Sequence, residues 1–145
     1  MTILLTPLND PGVPWWLTNI YGLTDKGDKL EFLQELRATR AACAGPWLLC
    51  GDFNMIYRAA DKNNSRLHRG EMRRFQGLLD DLELVEVHLS GRCFTWNNGR
   101  DVPTMERLDR AFESTDWFSQ YPSHHLRGLS SDYSDHAPLL LVLNT

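Results

Sequence analysis

The chain has 145 residues, enough for one domain with its own packed core. A hydrophobic share of 42% argues against disorder, and no apolar run approaches the roughly 18 residues of a membrane span. A net charge of −4 excludes nucleic-acid binding through overall basicity and leaves that task to local patches.

In chain order, Pro7, Pro11, Gly12 and Pro14 predict an irregular segment over residues 1–14. Trp15 to Tyr21 is rich in aromatic and β-branched types and reads as a strand. Asp28 followed by Glu31 has the spacing of a capping box and opens a helix that carries Leu30, Leu33 and Leu36 on one face. Gly45 and Pro46 stop it. Residues 47–50 form a short buried strand, residues 55–70 a polar and basic loop. Met72, Phe75, Leu78, Leu79 and Leu82 recur at helical spacing and predict an amphipathic helix over 70–84. A strand at 93–96, a tight turn at Asn97-Asn98-Gly99 and a returning strand over 104–112 make a hairpin. Ser114 caps a short helix closed by Pro122, and a last strand covers 138–143. Alternating strands and helices followed by a hairpin point to a mixed sheet or two packed sheets with helices outside. Cys43, Cys50 and Cys93 form no CxxC pair, which favours a reducing, intracellular setting, and Cys93 with the histidines fits no standard zinc spacing. No signal peptide is evident, and the expected location is nucleus or cytoplasm.

Two motifs carry chemistry. Gly51-Asp52-Phe53-Asn54 follows the apolar run 47–50, and Ser134-Asp135-His136 precedes the run 138–143. Each sets an acid and a second polar group where a buried strand surfaces, so that a rigid element fixes groups that a loop exposes. A carboxylate such as Asp52 can take a proton from water, and an amide such as Asn54, two residues on in extended backbone, can bind a phosphate oxygen. Asp135 can bind Mg²⁺, and His136 can donate to a phosphoryl oxygen. The competing reading is a pair of ordinary turns, since Gly, Asp, Asn and Ser are all turn formers. Asp109 interrupts a strand-like stretch against β propensity and suits a role in fixing a histidine tautomer, or a salt-bridged surface strand. Tyr21 can donate to a phosphate or simply pack with a wet tip. Arg66, His68, Arg69, Arg73 and Arg74 form a basic cluster that suits a phosphate backbone or a solvated helix face.

Taken in order, Thr18-Asn19-Ile20-Tyr21-Gly22, Gly51-Asp52-Phe53-Asn54, Phe94-Thr95-Trp96, Arg107-Leu108-Asp109-Arg110 and Ser134-Asp135-His136 resemble the endonuclease/exonuclease/phosphatase superfamily. The likeness is strongest to the apurinic-type endonuclease domain of plant LINE-like (non-LTR) retrotransposons, a domain associated with reverse transcriptase. The resemblance implies an α+β fold, a four-layer α/β sandwich lacking its first strands, with residues 15–145 as a partial domain of that type. It also implies Mg²⁺- or Mn²⁺-dependent hydrolysis of DNA phosphodiesters. In that scheme Asp52 activates water, Asn54 and Tyr21 contact the scissile phosphate, and Asp135 belongs to the metal site. His136 binds phosphate under the hold of Asp109, while Thr95, Trp96, Arg66 and Arg69 meet the DNA. The family's early Asn-bearing strand and Gln-Glu motif have no counterpart before Tyr21, and Leu23-Thr24 stands where a proline is common. The resemblance therefore implies a weakly held metal, impaired activity and a sheet edge open to self-association, with Trp15 and Trp16 as candidates for exposed surface. The alternatives are a non-catalytic transposon-derived fragment with at most weak nucleic-acid binding, and a phosphatase of the same superfamily.

Overall fold

The computed structural model describes residues 1–8, 12–22 and 26–143. Its elements are β1 (Thr2–Leu5), β2 (Trp15–Tyr21), α1 (Lys26–Ala42), β3 (Trp47–Asp52), a 3₁₀ turn (Ala59–Asp61), α2 (Arg69–Asp81), β4 (Val85–Glu86), β5 (Leu89–Ser90), β6 (Trp96–Asn97), β7 (Met105–Glu106), β8 (Asp109–Glu113), α3 (Thr115–Gln120), β9 (His125–Gly128) and β10 (Leu139–Val142). A five-stranded sheet runs β1-β2-β3-β8-β4, and a three-stranded sheet runs β10-β9-β5. Both are mixed: β2–β3 and β5–β9 are parallel pairs and the remainder antiparallel. The α+β sandwich expected from the sequence is the fold observed. Three of the expected four layers lie within the described residues, where no helix covers the outer face of β9 and β10.

Strand alternation divides the large sheet between two cores. Trp47, Leu49 and Phe112 point to the helix side, where they meet Phe32, Leu33 and Leu36 of α1 and Phe75, Leu78 and Leu79 of α2. Phe53 completes this core and lies 5.0–5.3 Å from the rings of Phe112 and Phe75. Leu48 and Ala111 point the other way and pack with Trp15, Val87, Leu89, Trp117 and Leu126 between the sheets.

Several boundaries differ from the sequence reading. Residues 2–5 are not irregular: they precede the prolines and pair antiparallel with β2, while residues 9–11 lie outside the described residues. Trp15 is buried rather than exposed, 5.6 Å from Trp117 and 5.9 Å from Tyr121, and Trp16 is half-buried. Helix α1 begins at Lys26, so Asp28 lies inside its first turn, where a carboxylate complements the helix dipole. Its buried arc is Phe32, Leu33 and Leu36; Leu30 falls off that arc and is exposed. Helix α2 stops at Asp81 because Glu83 takes a positive φ of 53° and the Leu84 amide returns to the Leu79 carbonyl. The tight turn at 97–99 is instead a wide loop, held by the Asn98 side chain accepting from the amides of Arg100 and Thr104. The returning strand is two strands in two sheets, broken at Arg107 and Leu108. Leu23-Thr24 lies outside the described residues.

The break is held by charge. Arg110 has a fully buried side chain that contacts Asp61 Oδ2 at 2.5 Å, Glu86 Oε1 at 2.6 Å and the Arg107 carbonyl at 2.9 Å. Its guanidinium lies 4.7 Å from the Tyr57 ring. Arg58 adds a contact to Glu86 at 2.9 Å, and Tyr57 donates its hydroxyl to Glu86 at 2.7 Å. Burial, then the Glu86 hydrogen bond and charge, push the Tyr57 phenol above its ordinary range. This network fastens the 3₁₀ turn and β4 to β8. Replacing Arg110 with Met removes the shortest ion-pair partner of two carboxylates, one of them in Asp61, which is only 2% exposed. We expect urea denaturation to show a loss of about 3–5 kcal/mol; a loss below about 1 kcal/mol would mean the network is not structural.

Candidate active site

The ladder register sets the site. Tyr21 of β2 pairs with Asp52 of β3, and Asp52 pairs with Asp109 of β8, so the three stand in one row on the face toward the second sheet. Gly51 lets β3 approach β2 this closely. It has φ +134°, and a Cβ there would lie 2.1 Å from the Ile20 carbonyl oxygen. Gly22 is similarly required, since its Cβ would lie 2.3 Å from the Phe53 carbonyl oxygen.

His136 completes the constellation from the loop that leads into β10. Its Nδ1 is 2.8 Å from Asp109 Oδ2, and its Nε2 is 3.8 Å from Asp52 Oδ2. The segment carrying it is laced to the hairpin: Trp96 bridges His136, and Ala137 donates its amide to the Thr95 carbonyl at 2.7 Å. Thr95 is 1% exposed, and its hydroxyl accepts from the amides of both Leu108 and Asp109 at 3.0 Å. It thereby holds the start of β8 from below. Ser134 fixes the approach to His136 by accepting the His136 amide at 3.1 Å, an ST-turn whose two-residue spacing was visible in the motif.

Burial raises the Asp52 carboxyl above the usual range. The Asn54 amide opposes this, Asp109 adds to it, His136 opposes it and Asp135 adds again. Burial lowers His136, but the Asp109 hydrogen bond and charge, with Asp52 and Asp135, outweigh it and leave the imidazole raised. Asp52, Asp109 and His136 are the one group of three or more metal-ligating side chains found among the described residues, with ligand atoms within 4.8 Å of one another. Two carboxylates suit a hard cation such as Mg²⁺, which keeps several waters; the imidazole suits it less and is engaged by Asp109.

The other expected site residues fall around this trio. Strand alternation does not carry Asn54 onto the Asp52 face, because β3 ends at Asp52 and Asn54 takes a left-handed φ of 51°. Its backbone amide donates to Asp52 Oδ1 at 2.9 Å, while its side chain lines a neighbouring cleft. Asp135 Oδ2 accepts the Trp96 indole N–H at 3.0 Å, and its carboxylate is outside the trio. Tyr21 is 77% exposed at the end of the row. Arg66 and Arg69 are exposed and lie toward the clefts beside Asn54, not at the trio. His136 and Asp135, with Thr95 and Trp96, border a cavity of about 490 Å³, and Asp109 and His136 also border an apolar one of about 400 Å³ between the sheets. Ser134, Gly22 and Arg110 stand in the quoted motifs, but sequence reasoning gave them no role, and the partners of Arg110, Asp61 and Glu86, lie far away in the chain.

Known structures share this arrangement of elements. The 3′ phosphatase NExo from Neisseria, bound to product DNA hairpin, matches with TM-score 0.67 at 21% identity over 99% of this chain and 70% of that one. The endonuclease domain of TRAS1, a telomere-specific non-LTR retrotransposon, matches with TM-score 0.70 at 16% identity over 99% of this chain and 64% of that one. The beta toxin of Staphylococcus aureus matches with TM-score 0.58 at 14% identity over 94% of this chain and 55% of that one. A search of curated protein sequences finds no match. The sequence profile of the endonuclease/exonuclease/phosphatase family matches residues 2–136, nearly the whole chain, and with the fold it places this chain in that family.

Proposed function

We propose that this chain is a divalent-metal-dependent phosphodiesterase acting on DNA, of the retrotransposon endonuclease type. The observation that carries the reading is His136 held between Asp109 and Asp52. Family membership supports phosphodiester hydrolysis in general. NExo is a DNA-bound phosphatase and the TRAS1 domain an endonuclease, which supports DNA as the substrate class.

Each group has a defined task in this scheme. Asp109 accepts the His136 Nδ1 proton and leaves Nε2 to donate to a phosphate oxygen. Asp52, raised by burial, is basic enough to accept a proton from the attacking water. Mg²⁺ or Mn²⁺ would be held by the carboxylates of Asp52 and Asp109, with Asp135 beside them, and would neutralise charge developing on the phosphate. So few protein oxygens hold Mg²⁺ weakly, which keeps activity low.

Nicking of supercoiled plasmid tests the reading. We expect slow nicking that still rises with Mg²⁺ in the millimolar range and stops in EDTA. Asp52→Asn and His136→Ala should each lower the rate by on the order of 10²–10³. Nicking that survives both substitutions would overturn the assignment, and release of phosphate from a 3′-phosphorylated oligonucleotide without nicking would make the chain a phosphatase.

The pH dependence follows from the two shifts. The rate should rise as Asp52 loses its proton, above the ordinary carboxylate range, and fall as His136 loses its own, above about 6.5. The same raised value makes the His136–Asp109 pair stabilising in full below the unfolded histidine pKa and lost as pH rises through the folded one. NMR titration should give His136 a pKa above about 6.5 that drops in Asp109→Asn; an unchanged value in that variant would contradict the pairing.

Self-association belongs to the same reading, because β10 pairs only with β9 among the described residues. Sedimentation at several concentrations should show a reversible dimer, and a concentration-independent monomer would exclude it.

A further inference from the structure

Beside the trio, the chain leaving β3 opens onto a cleft of about 180 Å³ that Asn54 shares with Lys29, Lys62, Arg66, His68 and Glu71. It adjoins one of about 300 Å³ that adds Arg69 and Arg74 and shares Lys29, His68 and Glu71. Lys29, Lys62, Arg66, Arg69 and Arg74 thus face only two carboxylates, Glu71 and Glu106, in a chain whose net charge is −4. That concentration of cations in an acidic protein marks a local anion-attracting field.

The cleft is built, not a loose fringe. The side chains of Lys29 and Lys62 are only 16% and 13% exposed. Lys29 Nζ lies 2.9 Å from Glu71, whereas Lys62 Nζ is 3.9 Å from Glu106 and donates to the Arg66 carbonyl at 2.6 Å. Asn64 accepts the Arg66 amide at 3.0 Å, and Asn63 is bonded to Pro103 and Met105 of the facing hairpin. The loop carrying Lys62 and Arg66 is thereby pinned. Among the described residues, Arg66 and Arg69 pair with no carboxylate. Asn54 joins the cleft to the trio, since its amide bonds Asp52 while its side chain lines the cleft.

A substrate with one phosphate has no use for a second cationic cleft beside the reacting centre, whereas a DNA strand presents a phosphate at every nucleotide. The geometry points to a second phosphate-binding site in this cleft, with Lys29, Lys62 and Arg66 as its donors, that receives a non-scissile phosphate of a DNA strand whose scissile phosphate lies at Asp52 and His136. This rests on the phosphodiesterase reading and deepens it: the cleft sets the register of the strand over the trio and makes a polymer, not a small phosphorylated molecule, the preferred substrate.

Binding without catalysis separates the two ideas. Anisotropy of a short fluorescein-labelled DNA duplex, measured in EDTA against salt concentration, reads the number of phosphates neutralised. Arg66→Gln and Lys62→Gln should each flatten the log–log salt slope by about 0.9, and together by about twice that. Arg127→Gln, on the exposed outer face of β9, should leave it unchanged. Thermal unfolding confirms that each variant folds, and Lys62→Arg should restore the slope where Lys62→Gln loses it. Duplex binding whose slope none of the cleft substitutions moves would overturn the site while leaving the nicking result to judge the catalytic reading. Absence of duplex binding by the unsubstituted chain at low salt would overturn it equally.

Discussion

Two carboxylates stand directly opposite each other in an antiparallel ladder, and the rest of the site is arranged around that conflict. Asp52 and Asp109 are register partners on β3 and β8, a like-charge pair that costs a sheet stability when nothing intervenes. What intervenes is His136, with Nδ1 on Asp109 and Nε2 facing Asp52. The imidazole comes from the loop between β9 and β10, so relieving the repulsion also ties that loop to the large sheet at the site. The raised values of Asp52 and His136 share this origin: burial and a neighbouring anion disfavour the second negative charge, and the same anions favour the positive one.

Strand β8 separates two duties by the alternation of its faces. Asp109, Ala111 and Glu113 point between the sheets; Arg110 and Phe112 point to the helices. Asp109 therefore meets His136, while Arg110, one residue on, anchors Asp61 and Glu86. The network under Arg110 fixes the turn after Asn54, and Thr95 fixes the β8 start through two amides. Both supports act on the same two-residue break at Arg107 and Leu108, where the chain passes from the hairpin to the large sheet. A misplacement there would move Asp109 away from His136 and restore the repulsion.

The sequence made the long periodic elements legible, because α1, α2, β2 and β3 bury continuous apolar sets. Strands β4, β5 and β9 were not, since two-residue ladders and a stretch such as His125-Leu126-Arg127-Gly128 carry too little alternation to register. The hold of Asp109 on His136 is what the resemblance implies, and the two side chains lie 2.8 Å apart. The displacement of Asn54 was not expected, because it depends on a left-handed residue just past the strand end, a conformation Asn adopts readily but does not announce. Nor was the Trp96–Asp135 bond, which arises from backbone pairing of two loops far apart in sequence.

Charge balance at the trio explains why metal dependence is the natural reading. With His136 protonated, Asp52, Asp109 and His136 together carry one net negative charge, and Asp135 is near enough to raise both Asp52 and His136. A phosphodiester is itself an anion, so these side chains alone repel it even while His136 offers a donor. In the proposed scheme a divalent cation would reverse that sign and turn the same carboxylates from an obstacle into a support. In the same scheme the basic cleft beyond Asn54 would work on the other side of the balance, attracting a strand at a distance from the acids.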